Sequence, residues 1–397
     1  MNKKLGLAVA SALLAAASTA NAGIVIPAGD WTLDIGGIVN TYYTHTSFSG
    51  NGGTAPLALG NGADKSVTNI TTGLLPNYLS VSGKTRQNDL DVGFTISINP
   101  GTSTTSGGKQ SAQQENRQAF LTFGDKSWGS IKLGKDLGIY ASDAILNDMT
   151  LLGVGSGAGS LAGNTTTLGR IGTGFMYADW KAQIAYSSPN FNGFSFTGGI
   201  TQGWNAVAAI VPGAGSTLRS GSTPAFEGKA SYEWAGDVGG KVWASGITQK
   251  VDFGRSSSRA NAYDVGVTTS LAGFGVTGYY GQGKGIGQTI QLFDGFDATG
   301  NKRDSKQYYV QGTYTIPGVG TKLGVSYGES KLDGNAVDAF NTIKDKMVVV
   351  GAYHPLTKHL NLVAEYSESK HTVDNVAAGA DTSGKAKTVS LGGIMFF

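Results

Sequence analysis

Four histidines, His45, His354, His359 and His371, and one Gly-Lys-Thr triplet are the first places to look for chemistry in this sequence. His354 and His359 stand five residues apart around Pro355 with no carboxylate beside them, which is poor geometry for a metal ion. Gly83-Lys84-Thr85 has the ending of a phosphate-cradling loop, but Tyr78 fills the position where the leading glycine is needed. Gly281-Gln282-Gly283-Lys284-Gly285 opens no helix and reads as a strand running into a loop. Serine and threonine are so abundant that placing one beside a histidine defines no hydrolase. The absence of cysteine removes thiolate zinc sites, disulfide frameworks and thiol nucleophiles together. What remains is a scatter of polar side chains, among them Asp34, Ser80, Ser82, Lys84, Asp91, Gln311 and Glu365, each set between apolar neighbours. Such groups line water rather than react, and no cofactor is called for.

The elements that would hold them are strands. Of 397 residues 62 are glycine and only 14% are charged, where about 25% is usual, so disordered, acidic-tail and collagen-like chains are excluded. A net charge of +3 is too small for a nucleic-acid binder. Lys3 and Lys4, the apolar run Leu5 to Ala17 and the Ala20-Asn21-Ala22 site give residues 1–22 the form of a cleaved signal peptide, leaving a single domain over 23–397. Beyond it the recurrent period is two: Leu90, Val92, Phe94, Ile96 and Ile98 alternate with Asp91, Gly93, Thr95 and Ser97. On this basis sixteen segments are expected: 30–46, 77–87, 89–100, 113–124, 129–135, 181–188, 193–203, 225–235, 240–252, 260–271, 273–283, 305–316, 320–331, 344–354, 359–370 and 385–397. Short connections such as Asn88, Ala272 and Pro317 to Val319 take turns with long ones at 47–76, 136–180, 204–224, 284–304 and 371–384.

One elaborate end and one tight end describe an antiparallel transmembrane barrel with long outer loops and short periplasmic turns. A barrel of this size has a lumen too wide for side chains to fill, so the apolar face must look outward into lipid and the polar face onto water. Tyr42, Tyr43, Phe194, Tyr279, Tyr280, Tyr308, Tyr353 and Tyr366, near strand ends, suit interfacial girdles. Closure also removes the sheet edges.

Three stretches carry a family resemblance. Asn116-Arg117-Gln118-Ala119-Phe120-Leu121, followed by Trp128-Gly129-Ser130-Ile131-Lys132-Leu133-Gly134-Lys135, resembles the paired fourth and fifth strands of Gram-negative general porins. Tyr186-Ser187-Ser188-Pro189-Asn190-Phe191-Asn192-Gly193-Phe194 is similar to the turn between their sixth and seventh strands. The last strand ends in Phe397, with Met395, Gly393, Leu391 and Val389 on its face, and resembles the signal read by the barrel assembly machinery.

The resemblance implies an all-β, sixteen-stranded antiparallel barrel in the outer membrane, with an inward-folded third loop that narrows the lumen. It implies a homotrimer embedded in outer-membrane lipids that passes small hydrophilic solutes and ions by diffusion. The third loop would span about 136–169, with Asp136, Asp143 and Asp148 and the Gly-rich run Gly153 to Gly159. In the family its acids face a ladder of wall cations, carried over here to Arg117, Lys135 and Arg170, with Lys84 added by parity. Tyr78 and Lys135 stand where the family often has arginine, and Lys132 and Lys135 cannot both face the lumen without a bulge. Four cations against Asp143 and Asp148 imply a mild anion preference. The alternatives are a substrate-selective porin for sugars or small organic acids, shaped by Trp204, Trp234 and Trp243, or, in another class, an outer-membrane barrel hydrolase or an adhesin.

Overall fold

The computed structural model describes residues 23–50, 65–102, 114–156, 166–204, 223–253, 256–297, 299–375 and 381–397. The expected signal peptide and Gly157 to Gly159 lie outside the described residues. β1 (Ile24–Ala28) and β2 (Trp31–Gly50) form the first hairpin; β3 (Ser66–Thr71) pairs with the far half of β2, and β4 (Tyr78–Gln87) with its near half. β5 (Leu90–Pro100) follows, with the two-residue β6 (Gln114–Glu115) at its end, then β7 (Ala119–Asp125) and β8 (Gly129–Leu137). After the long connection come β9 (Trp180–Ser187), β10 (Phe194–Thr201), β11 (Ala225–Trp234) and β12 (Gly239–Asp252). β13 (Ser257–Leu271), β14 (Phe274–Lys284), β15 (Asp304–Thr315) and β16 (Lys322–Asp333) continue the antiparallel meander. β17 (Phe340–Pro355), β18 (Leu360–Asn375) and β19 (Thr382–Phe396) complete it.

β19 returns to β2, paired from Gly384 with Gly50 to Phe396 with Ile38, and this closes the ring. Setting aside the short β1, β3 and β6, sixteen strands make the wall, and each overlaps one of the expected segments. β1 was not foreseen, because Ile24-Val25-Ile26-Pro27 does not alternate, and β3 falls inside the expected 47–76 connection.

The turns at one end are tight because the backbone supplies left-handed residues there. Asn88 and Asp89 have φ of 48° and 63°, and Ala272 and Gly273 have 49° and 87°. The two faces differ as the alternation requires: Val389, Leu391 and Met395 are 45%, 53% and 42% exposed, while Thr388, Ser390 and Ile394 between them are 2%, 1% and 0% exposed. Phe397 continues the outward row, exchanging both backbone hydrogen bonds with Gly37 (2.8 and 3.0 Å). A Cβ on Gly37 would stand 2.7 Å from the Phe397 ring, so the bare glycine leaves room for the terminal phenyl.

Tyr43, Phe194, Tyr280, Tyr308 and Tyr366 are exposed on the outward face, but Tyr42, Tyr279 and Tyr353 are buried on the inner one. The expected girdle is corrected accordingly: in Tyr42-Tyr43 and Tyr279-Tyr280 adjacent side chains must take opposite faces.

Candidate channel constriction

The segment between β8 and β9 lies against the inner wall because inward side chains from widely separated strands bind its backbone. Where it leaves β8, the Glu227 carboxylate of β11 accepts the Ile139 and Tyr140 N–H groups, both at 2.8 Å. The same carboxylate takes the Thr201 hydroxyl and the Lys181 ammonium, all buried. A short helix, α1 (Ser142–Leu146), follows, and Tyr309 of β15 donates to its Ala144 carbonyl at 2.9 Å. Gln311 accepts the Met149 N–H and donates to the Asn147 carbonyl.

At the far tip Glu365 of β18 accepts the Val154 and Gly155 N–H groups at 2.7 and 2.8 Å and the Tyr353 hydroxyl at 2.6 Å. Glycine is required here: a Cβ on Gly153 would collide with the Glu365 carboxylate, and Gly155 sits at φ 60°. Tyr42 donates to the Leu152 carbonyl and Ser367 to that of Gly155. A second segment, 285–303, also turns inward: Tyr177 donates its N–H to Thr289, and Gln291 donates to the Tyr177 and Ala178 carbonyls.

The carboxylate anchors Glu227 and Glu365 lie on β11 and β18, on one side of the segment. On the other, the segment and the β4–β9 wall border a narrow cleft. Leu74, Leu75, Ile145, Leu146, Leu151, Leu168 and Ile171 line it, with Tyr78, Tyr177 and Trp180. Asn99, Gln118, Thr166 and Thr167 supply its neutral polar groups, and Arg117 is the one charged residue lining it among the described residues. The Arg117 guanidinium is held by Glu115 (2.7 Å), bonds Thr166 and lies 5.7 Å from the Trp180 ring centroid. Ion pair and aromatic face together fix its direction.

Of the expected constriction set, only Arg117 stands at this cleft. Asp143 points away from it, onto Lys229 (3.0 Å) and Lys241 (2.6 Å) of the wall. Burial pushes its carboxyl up, and the two ammonium groups outweigh burial and hold it below the usual carboxylate range. Asp148 is spent within the chain, accepting the Thr150 N–H and hydroxyl, and complete burial raises it. Arg170 is fully buried on the anchored side, donating to the Met347 carbonyl at 3.0 Å with Asp148 4.0 Å away. Lys84 faces the lumen beside Thr32, Asp34 and Ser82, six residues along β4 from Tyr78, which is about 20 Å toward the turns.

Lys135 is a correction. The ladder around it is regular, pairing it with the exposed outward residues Ala119 and Ala182. Lys132 takes the inward position and joins Asp136. The fourth-strand motif keeps its inward groups, Gln118 and Phe120, on the other parity.

The residues that sequence reasoning missed are the anchors Glu227, Lys229 and Lys241; Glu365 was read as lumen-lining but not as a clamp, and Tyr353, its hydroxyl partner, as an interfacial girdle residue. Their signal is faint: single charged or phenolic groups on the polar parity of a strand. Among the described residues no group of three metal-ligating side chains converges.

Comparison with known proteins agrees with this architecture. A family model described as Gram-negative porin matches residues 8–374. The outer membrane channel DcaP of Acinetobacter baumannii superposes with a TM-score of 0.68 at 17% identity, covering 95% of this chain and 100% of its own. Salmonella typhi OmpF, solved in complex with daunomycin, gives 0.58 at 15% identity over 94% and 100% of the two chains. The trimer form of OmpT, an outer membrane protein of Vibrio cholerae, gives 0.54 at 11% identity, covering 92% and 99%.

Proposed function

This chain belongs to the Gram-negative porin family and is an outer-membrane channel for passive diffusion, and from that premise we propose that solutes cross it beside Arg117, with a mild preference for anions. The observation that carries the reading is the cleft itself, where a single guanidinium faces leucines, isoleucines and aromatic rings. A fixed positive charge in a low-dielectric constriction raises the local concentration of anions. Asp143 and Asp148 are engaged elsewhere, so the carboxylate set against it is that of Glu115, 2.7 Å away.

The apolar lining favours a second reading within the same class, selectivity for small organic carboxylates over sugars. A carboxylate with a short hydrocarbon body satisfies both Arg117 and the leucines, whereas a sugar strands its hydroxyls against them. The trimer belongs to this proposal too, supported by the existence of a trimeric form among the structural neighbours. So does the role of Phe397 in assembly, supported by its place on the outward row at the closing seam.

Osmotic swelling of proteoliposomes tests the reading. Butyrate should enter faster than an uncharged sugar of similar mass, and equal rates would remove the carboxylate preference. Folded protein that neither swells liposomes nor conducts in a planar bilayer would remove the channel reading.

A further inference from the structure

Beneath the inward segment, toward the tight turns, the inner face of β13–β16 forms a shelf on the side of the barrel away from the Arg117 cleft. The strand register builds it in rows. Ser270, Gly275, Thr313 and Gly324 stand opposite one another across the four strands, and the next inward row toward the turns brings Thr315 against Lys322. The two glycines leave the floor of the middle row bare. Asn147, Asp148 and Met149 of the segment form the roof, which rests on that floor closely enough that a Cβ on Gly324 would stand 2.7 Å from the Met149 sulfur.

The hydroxyls of this shelf have hydrogen-bonding capacity to spare. Those of Thr268 and Thr277 bond each other at 3.0 Å, that of Thr313 reaches the Gly275 carbonyl at 3.5 Å, and those of Ser270 and Thr315 bond no other group among the described residues. A hydroxyl carries one donor and two acceptor sites, so each keeps at least one for a solute. Lys322 makes no hydrogen bond or ion pair among the described residues; its ammonium stands 5.2 Å from the Tyr353 ring centroid, and the Tyr353 hydroxyl is turned to Glu365. The roof carboxylate of Asp148 is taken by Thr150 and lies 4.0 Å from the Arg170 guanidinium, which balances its charge. One uncompensated cation therefore stands among neutral hydroxyls.

This composition selects a ligand by exclusion. A neutral sugar satisfies the hydroxyls and leaves the ammonium without a counter-charge, whereas a carboxylate with a hydrocarbon body satisfies the ammonium and sets its chain against polar groups that then go unbonded. A dianion brings one charge more than the shelf can match. We propose that the β13–β16 shelf binds a polyhydroxylated monocarboxylate, a sugar acid, with its carboxylate on Lys322 and Thr315 and its chain hydroxyls on Thr313 and the rest of the middle row. Successive inward rows are about 7 Å apart, close to the length of an extended six-carbon chain, so one molecule reaches from the ammonium to the bare glycine floor. The shelf and the Arg117 cleft then sort carboxylates by their bodies, hydroxylated ones to threonine and hydrocarbon ones to leucine.

Calorimetric titration of the full-length folded protein in detergent tests this, with sodium gluconate, glucose and sodium butyrate as the probes. The wild type should bind gluconate at least about tenfold more tightly than glucose, the ratio expected of one charge-assisted contact. Lys322→Gln should bring gluconate down to the level of glucose while keeping the heat-modifiable gel mobility of a folded barrel. Thr313→Val, which leaves every charge in place, should weaken gluconate and spare butyrate. Arg117→Gln should leave gluconate affinity where it was, and this arm separates the shelf from the cleft. Equal affinity of the wild type for gluconate and glucose overturns the proposal, as does unchanged gluconate affinity in folded Lys322→Gln or Thr313→Val. Loss of gluconate binding in Arg117→Gln would place the acid in the cleft and overturn it as well.

Discussion

The inward segment between β8 and β9 has two sides built on opposite rules. Toward β11–β18 it is held by charge-assisted contacts: Glu227 takes backbone N–H groups where it leaves β8, Glu365 takes those of Val154 and Gly155 midway along it, and Asp143 sits between two lysines. Toward β4–β9 it presents leucine and isoleucine to a cleft containing a single guanidinium. Asp143 and Asp148 of this loop are therefore fasteners, and Arg117 is the charged residue lining the cleft among the described residues. A family pattern in which loop acids face wall cations across water is here folded into contact for Asp143, and the cleft on the other side is lined mostly by apolar side chains.

The anchored side should break hardest. Glu227→Leu leaves the buried Lys181 ammonium without its carboxylate and removes the acceptor for Ile139 and Tyr140, a loss of about 3–5 kcal/mol for a broken buried pair. The expected result is a clear fall in the unfolding midpoint of the detergent-solubilised barrel, together with unstable conductance levels. An unchanged midpoint would mean the segment is held by its apolar contacts alone.

The distal clamp should be weaker, because it lacks a cation. Glu365→Gln keeps the shape and one acceptor oxygen while lowering the strength of the bonds to Val154 and Gly155, a change of about 1–3 kcal/mol. Single-channel records should show flicker between open levels with little change in the unfolding midpoint. A midpoint loss as large as that of Glu227→Leu would erase the distinction between the two clamps.

Acid should act on the middle fastener. The Asp143 carboxyl is held below its unfolded value near 3.9, so its contribution is fully present above that value and is lost as pH falls through the lower folded one. Asp148, raised by burial, carries the opposite sign and is relieved by the same acidification. Conductance should stay steady from neutral pH down to about pH 4 and become noisy below it. In Asp143→Asn the noise should be present at neutral pH. Noise that begins near pH 6 in the wild type would assign the transition to another group.

The wall was legible because lipid outside and water inside force strict alternation, and Leu90 to Ile98 or Val389 to Met395 can satisfy only one face at a time. The loop arrangement was not, since its partners are far apart in the chain: Asp143 meets Lys229 and Lys241 after 86 and 98 residues, and Val154 meets Glu365 after 211. Nothing local distinguishes Arg117, which lines the cleft, from Arg170, buried against Met347. Lys135 failed for a different reason. Motif spacing placed it inward, whereas parity with Ala119 and Ala182 turns it out.

The zero-current potential across a planar bilayer in a salt gradient tests the central claim, that Arg117 sets the charge of the path. The wild type should lie on the anion-selective side at low salt and drift toward zero as the Debye length shrinks from about 10 Å at 0.1 M to about 3 Å at 1 M. Arg117→Glu should move the potential to the cation-selective side, and Lys135→Glu, on the outer face, should leave it where it was. A wild-type potential that is already cation-selective, or one that Lys135→Glu shifts as far as Arg117→Glu, would contradict the account.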